Sequence, residues 1–465
     1  MQIEKWEKAY IEWQKSENLN KLLIIILSGS FLIKLFLLLK LKHMVLAGDE
    51  VEYLWHGLRI VRGETYEIKY LVYDHFNSSH WGPGYIYFIV VILKLFHEKI
   101  FFIKLIQILL STISAYFIYL LGKKTFNKTV GLLSAFIFST YPTLIAFTHY
   151  LYPETLYIFL LIVIMYLLTA FSFNKRKSYL LVAGLSLGLA SLVKSVIFYF
   201  LPLIIIWFFL VSEKKLKAFF MSTAIFLIAC ASIISPWTIR NYYIYDRFLL
   251  IDTNAGNVAL FNLNYPEPEN YDWGRFKEKI FSRATNKRMN CNIGNVVDDY
   301  RCELKNGLKF IIENPYLFSK RSVTKLCDFW HPTSVLIRNV RDGSYGRIPG
   351  LTLIRIIILT TVVPYIGVII FGIFGFFYSR NNLIKVSFLF LISYYILVHM
   401  VMFGMSRYRL PIEPFIMIYA SYAIINFKNI IINIFSDKKW LGVTAVIFVF
   451  ILMWYRYFPL VFDVF

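Results

Sequence analysis

The sequence predicts an all-α polytopic membrane protein, and three observations carry that prediction. Of its 465 residues, 58% are hydrophobic, against roughly 45–50% in soluble domains, and the mean hydropathy is +0.59. Apolar runs recur from residue 20 to the end, many near the ~20 residues that cross about 30 Å of hydrocarbon. Alternating ten-residue strands are missing, which argues against a barrel; a helix instead satisfies every backbone amide within its own segment.

Spans are expected near 20–42, 100–121, 129–148, 152–172, 178–193, 195–212, 216–235, 354–378, 383–403, 409–427 and 440–458. Short basic loops set the orientation, because lysine and arginine stay cytoplasmic. GKKTFNK (122–128), NKRKS (174–178), SEKKLK (212–217) and DKK (437–439) are such loops. With them and the N-terminus inside, parity puts 43–99, 149–151, 194, 236–350 and 404–408 outside. The run GYIYFIVVILKLF (84–96) is short for a span and is read as an interfacial or re-entrant helix. That gives eleven spans; counting it differently gives twelve or thirteen, with local violations of the charge rule.

Four regions follow. Residues 1–19 are a polar cytoplasmic segment; no small-residue cleavage site follows the first apolar run, so that run is expected to stay as a span. Residues 20–235 form an N-terminal transmembrane module that includes the outer loop 43–99. Residues 236–350 are a long outer loop with surface helices, for instance around 297–328. Residues 351–465 hold the C-terminal spans, with no large soluble domain after them.

The formal charge of +21 sits mostly beside apolar runs. It is assigned to topology and anionic headgroups, making membrane lipids a partner and nucleic acid not one. Of four cysteines, Cys230 lies in an apolar run. Cys291 and Cys302 share the long outer loop and are candidates for a disulfide in an exported segment; a third cysteine near the loop's end, Cys327, leaves the pairing open. Neither zinc-type Cys/His spacing nor a phosphate-binding or dinucleotide glycine pattern occurs.

The informative charges fall outside or at outer helix ends, where ionisable residues are costly and mark function. Asp49-Glu50 follows the first span; a carboxylate there can deprotonate an acceptor hydroxyl, or simply cap a helix. Glu154 follows Pro153 at the start of a span, where an acid also suits the first turn. Lys194, Arg240, Arg407, Arg409 and His80 are cations on the side that the charge rule depletes. Each alone can be a snorkelling anchor. Together they fit a held anion, and a lipid phosphate is the natural one, arginine gripping it bidentately and lysine as a point charge.

At these residues the chain resembles the membrane-embedded C-type glycosyltransferases, in particular the superfamily of protein O-mannosyltransferases and aminoarabinose lipid A transferases. GDEVEYLWHGLRIVRGETY is similar to the family's first-loop acidic motif. HWGPGYIYFIVVILKLF resembles the "KPPLYxxLLAxxxxLFG" segment, and YPTLIAFTHYLYPETLYIFLL the second-loop region. SLVKSVIFYFLPLIII, SPWTIRNYYIYDRFLLIDTNAGNVALFNLN and DFWHP resemble later blocks, and SRYRLPIEPFIMIYASYAI resembles "YRLPxxPxLxxLAAY". Seven blocks stand in the family's order.

The resemblance implies transfer of a sugar from a polyprenyl-phosphate donor, at the outer face and generally with inversion, to a protein, lipid or glycan hydroxyl. It makes Asp49 the catalytic base with Glu50 beside it. Glu154 becomes the second acid, and Lys194, Arg240 and Arg407, with Arg409 in the same block, become phosphate ligands. His80 stands where the family often has a lysine, so the donor phosphate needs His80 or another cation there. Neither a cofactor nor a metal is expected, since this branch generally works without one. Lysine-, isoleucine- and asparagine-rich usage fits a prokaryotic cytoplasmic membrane and an undecaprenyl carrier. Two other classes compete. A lipid-linked oligosaccharide flippase would show two-half symmetry, which the sequence lacks. An O-antigen polymerase or ligase would lean on outer arginines and a histidine rather than on an acidic pair.

Overall fold

The structure, a computed structural model, describes residues 18–41, 46, 48–64, 81–213, 215–254, 291, 294–341, 350–432, 434, 438–455 and 457. Among the described residues the only regular elements are helices. The first half holds α1 (Asn18–Lys40), α2 (Asp49–Val61), α3 (Pro83–Leu95), α4 (Ile100–Thr125), α5 (Lys128–Thr140), α6 (Pro142–Phe147), α7 (Glu154–Asn174), α8 (Lys177–Val193), a 3-10 turn (Ser195–Phe200), α9 (Leu201–Val211) and α10 (Leu216–Tyr245). Then come α11 (Val296–Glu313), α12 (Pro315–Phe329), α13 (Val335–Arg341), α14 (Leu351–Tyr378), α15 (Leu383–Val401), a second 3-10 turn (Ser406–Arg409), α16 (Glu413–Ile425), α17 (Phe427–Ile432) and α18 (Lys439–Tyr455).

Among the described residues, six helices, α1, α4, α7, α10, α14 and α15, are long and apolar enough to cross a membrane. Their outward faces fit lipid rather than water: Ile25 is 66% exposed, Phe220 64% and Ile228 69%. Contiguous apolar surface of that kind marks a membrane-facing belt. α7 is the central helix, with most of its length buried. Close packing without a hydrophobic drive between helices relies on small residues. Gly184 on α8 is one, because a Cβ there would lie 2.4 Å from the Phe226 carbonyl oxygen on α10.

The helices depart from the expected spans at their ends. The run expected at 129–148 breaks into α5 and α6 at Tyr141, with Pro142 starting the new helix. The run at 195–212 opens with a 3-10 turn before Pro202 in the first turn of α9. Arg409, expected to open a span, ends a 3-10 turn, and α16 starts at Glu413 with Pro414 in its first turn. Proline fits the first turn, where its missing N–H costs nothing, and so starts a fresh helix at each site. The opposite happens at Pro236, where α10 runs on through it to Tyr245. At about 1.5 Å per residue α10 is roughly 45 Å long, more than the hydrocarbon core needs. Its far end packs Tyr245, with Leu249, on Val297 of α11.

The run at 84–96 forms α3, a 13-residue helix. It packs its Tyr85, Ile86, Ile89 and Leu93 into the main core. Cys291 and Cys302 are disulfide-bonded, with Cα atoms 5.6 Å apart. Cys230 and Cys327 stand outside that disulfide.

Candidate functional site

α2 starts abruptly. Gly48 before it has φ 59°, a left-handed backbone that glycine alone adopts without strain. Asp49, Glu50 and Glu52 fill the first turn, where the helix dipole favours acids. Successive helical residues point about 100° apart, so the two neighbouring acids diverge. Asp49 remains partly exposed and its Oδ2 accepts from Arg407 Nη1 at 2.8 Å. Glu50 is 1% exposed and its Oε1 accepts from the Leu151 amide at 2.8 Å.

Glu154, the first residue of α7, is fully buried. A buried carboxylate needs partners, and two cations supply them. Lys194 Nζ donates to its Oε1 at 2.8 Å, and Arg407 Nε lies 2.7 Å from the same oxygen. Lys194 stands at the break between α8 and the first 3-10 turn, and Arg407 in the second 3-10 turn. Helix interruptions thus place both cations. Aromatic rings surround them, with the Arg407 guanidinium 4.7 Å from the Tyr152 ring and Lys194 Nζ 5.4 Å from that of Tyr408. Burial opposes charge on Arg407, but Glu154 and Asp49 outweigh it and raise its pKa further. Lys194 goes the other way: burial pushes its ammonium pKa down, against the pull of Glu154.

Four of the residues singled out from sequence therefore meet, Asp49, Glu154, Lys194 and Arg407. Arg409 and Arg240 have other partners. Arg409 is buried; its Nε donates to Glu413 Oε1 at 2.6 Å and its Nη1 to the Phe329 carbonyl at 3.0 Å. Arg240 stacks on the Trp237 ring at 4.5 Å and donates to Asn241 at 3.1 Å. His80 lies outside the described residues. The turn that follows it is held close to Lys194: a Cβ on Gly82 would fall 2.4 Å from the Leu192 carbonyl oxygen.

Three residues near the site were not anticipated. Glu52, one helical turn from Asp49, accepts from Trp81 Nε1 at 3.2 Å. Burial and the charge of Asp49 raise its carboxyl pKa to about 7, against the Trp81 bond. Asp252 follows α10. Its carboxylate accepts from the Ser195 hydroxyl at 3.0 Å and the Asn254 amide at 3.2 Å, while burial raises its pKa to about 7. A lone acid in the apolar stretch LLID is the signal that could have pointed to it. Gln107, fully buried in α4, is the third; an amide within an apolar run was its only mark.

Paired acids are also a cation's natural ligands. Among the described residues, however, no group of three or more His, Cys, Asp or Glu side chains is arranged to hold a metal ion. The inner oxygens of Asp49 and Glu154 are committed to Arg407 and Lys194.

Known proteins resemble the chain in both sequence and fold. The family model of dolichyl-phosphate-mannose-protein mannosyltransferases matches residues 80–239, a stretch that holds Glu154 and Lys194. No curated protein matches the chain. Among solved structures, the archaeal oligosaccharyltransferase AglB from Archaeoglobus fulgidus, in complex with an inhibitory peptide and a dolichol-phosphate, is similar at 13% identity. The match has a TM-score of 0.53 and covers 97% of this chain and 56% of that one. The apo form of that enzyme gives 13% identity, 95% and 56% coverage and a TM-score of 0.53. ArnT from Cupriavidus metallidurans, bound to undecaprenyl phosphate, matches at 12% identity over 86% of this chain and 77% of that one, with a TM-score of 0.43. The chain thus spans 56% of the length of the oligosaccharyltransferase it matches. It is an integral membrane protein with the fold of the C-type glycosyltransferases, as its sequence motifs imply.

Proposed function

We propose that this protein is a glycosyltransferase. It moves a sugar from a polyprenyl-phosphate donor to a hydroxyl of a lipid, glycan or protein acceptor, at the outer face of a prokaryotic cytoplasmic membrane. The observation that carries the reading is the linked set Asp49–Arg407–Glu154–Lys194, which joins a partly exposed carboxylate to two cations.

In the reaction the acceptor oxygen attacks the anomeric carbon and the bond from that carbon to the phosphate oxygen breaks on the opposite face. Asp49 takes the hydroxyl proton; one base suffices for an inverting transfer. The polyprenyl phosphate leaves with the bonding electrons, and Arg407 and Lys194 neutralise the charge that gathers on it. Glu154 holds both cations in place, so the positive charge is oriented before the donor arrives. Asp49 Oδ2 faces Arg407 Nη1 at 2.8 Å, which fixes where the carboxylate meets the acceptor.

The test uses purified protein in nanodiscs, a panel of radiolabelled polyprenyl-phosphate sugars, and membrane lipid and protein extracts as acceptors. Asp49→Asn should reduce turnover of the active donor by about 10²–10⁴-fold and leave donor binding intact. Equal passage of labelled lipid across proteoliposomes by both forms, with no transfer by either, would replace this reading with a transporter.

A further inference from the structure

The turn between α6 and α7 carries Tyr152 and delivers Glu154, yet it is not helical, and beyond the Thr148 and His149 amides, which donate to the end of α6, its backbone groups look outside these two helices for partners. In a water-poor interior each such group must find another partner. Side chains from other helices provide them. Gln107 Nε2 donates to the carbonyls of Thr148 at 3.2 Å and Tyr150 at 2.8 Å. Its Oε1 accepts from the Tyr85 hydroxyl at 2.9 Å, which fixes which end of the amide faces the turn. Glu50 Oε1 accepts from the Leu151 amide. Two peptide units are thus held by two side chains, 148–149 at its carbonyl and 150–151 at both carbonyl and amide, and each side chain is at most 1% exposed.

The geometry points to Glu50 and Gln107 as a buried clamp that sets the position of Glu154 and Tyr152, and through them of Arg407. Glu50 is then a positioning residue rather than a partner of Asp49 in proton transfer. Asp49 presents its carboxylate to the site; the next residue along α2 uses its own to hold the turn opposite. One helical turn therefore fixes both walls of the site relative to each other. Gln107 completes the clamp from α4, and Tyr85 on α3 orients the Gln107 amide. The clamp rests on the transferase reading only for its effect on catalysis; its effect on the backbone stands without it.

The experiment compares Glu50→Ala, Glu50→Gln, Gln107→Leu and Tyr85→Phe in the full-length protein in nanodiscs. It measures hydrogen exchange of the 147–153 amides beside kcat and KM for the donor. Glutamine keeps an acceptor oxygen, whereas alanine does not. Exchange at Leu151 should rise at least tenfold in Glu50→Ala and return towards wild type in Glu50→Gln. A shift of about 1 Å in a catalytic group can cost ~10²-fold. Accordingly kcat should fall by about 10- to 100-fold in Glu50→Ala and Gln107→Leu, with KM little changed. Glu50→Gln should recover at least tenfold over Glu50→Ala. Tyr85→Phe, which removes one hydroxyl and should keep the fold, is expected to lose several-fold. Unchanged exchange in both Glu50→Ala and Tyr85→Phe overturns the clamp, and so does a Glu50→Gln enzyme as inactive as Glu50→Ala. If wild type transfers no sugar while the exchange pattern appears as described, the transferase reading fails and the clamp stands.

Discussion

Arg407 Nη1 lies 2.8 Å from Asp49 Oδ2 although 358 positions separate them in the chain. The contact joins the first turn of α2 to the 3-10 turn ahead of α16, and the same guanidinium reaches Glu154. One side chain therefore ties three distant segments into a single electrostatic unit.

Removing that guanidinium should damage the site severely. Arg407→Ala takes away a charge-stabilising donor, a loss of about 10²–10³ in turnover. Arg407→Lys should recover little, because a single ammonium nitrogen cannot stand in for the two fixed guanidinium nitrogens that face Asp49 and Glu154. Donor titrations and turnover on both variants check this; a lysine variant near wild-type activity would show that only charge matters.

Lys194→Met should act differently. Glu154 keeps Arg407, so the fold should survive with its thermal midpoint little altered. The site loses one of its two cations, and donor affinity should fall about tenfold or more, the effect of losing one charge-assisted hydrogen bond worth roughly 1.5–3 kcal/mol. Equilibrium binding of a radiolabelled donor gives the number. Unchanged affinity would remove Lys194 from the phosphate contacts.

Glu52 predicts a pH effect on stability. Burial and Asp49 raise its pKa to about 7 in the folded protein, from an ordinary value of 4.5. A raised carboxyl binds a proton in the fold that the unfolded chain has already released. Its favourable contribution is present at low pH and is lost as pH rises from about 4.5 through 7. Glu52→Gln, neutral throughout, should therefore gain thermal stability over wild type between pH 5 and pH 8 and gain no more above that. A constant difference across the range would contradict the assignment.

The buried pair Arg409–Glu413 should matter for stability rather than chemistry. Arg409→Ala strands a carboxylate that is 1% exposed, at a cost of about 3–5 kcal/mol. The double change Arg409→Met with Glu413→Leu removes both charges and should be much milder. Thermal unfolding in one detergent compares them; equal damage by single and double variants would mean that the hydrogen bonds from Arg409 to the Phe329 and His331 carbonyls are what matter.

The helical class, the apolar runs and the acids beside them were legible because lipid imposes a strict rule on composition. Asp49, Glu154, Lys194 and Arg407 stood out for a related reason: charge at a helix end beside the hydrocarbon is expensive and visible. Their mutual distances were not legible, since nothing local ties residue 49 to residue 407. Arg409 illustrates the limit. It shares the block SRYRLP with Arg407, yet it points inward to Glu413, and only the turn of the 3-10 segment separates the two fates. Gln107 and Glu52 were hidden because a neutral amide in a long helix, or a third acid in a first turn, has many ordinary explanations.

The connection of Glu154 to its two counter-charges also sets an order of events at synthesis. Lys194 follows it by forty residues and enters the membrane with the very next helix, α8. Arg407 emerges only after α15. A ribosome-bound chain ending near residue 300 already owns one partner for the acid but not the other, so Lys194 serves as an interim neutraliser that lets α7 settle early. Chains of increasing length, tethered to stalled ribosomes and probed for protease resistance of α7, should gain protection soon after Lys194 is exposed. In Lys194→Met that protection should wait until residue 407 has cleared the exit tunnel; early protection in both would assign the settling of α7 to its apolar packing alone.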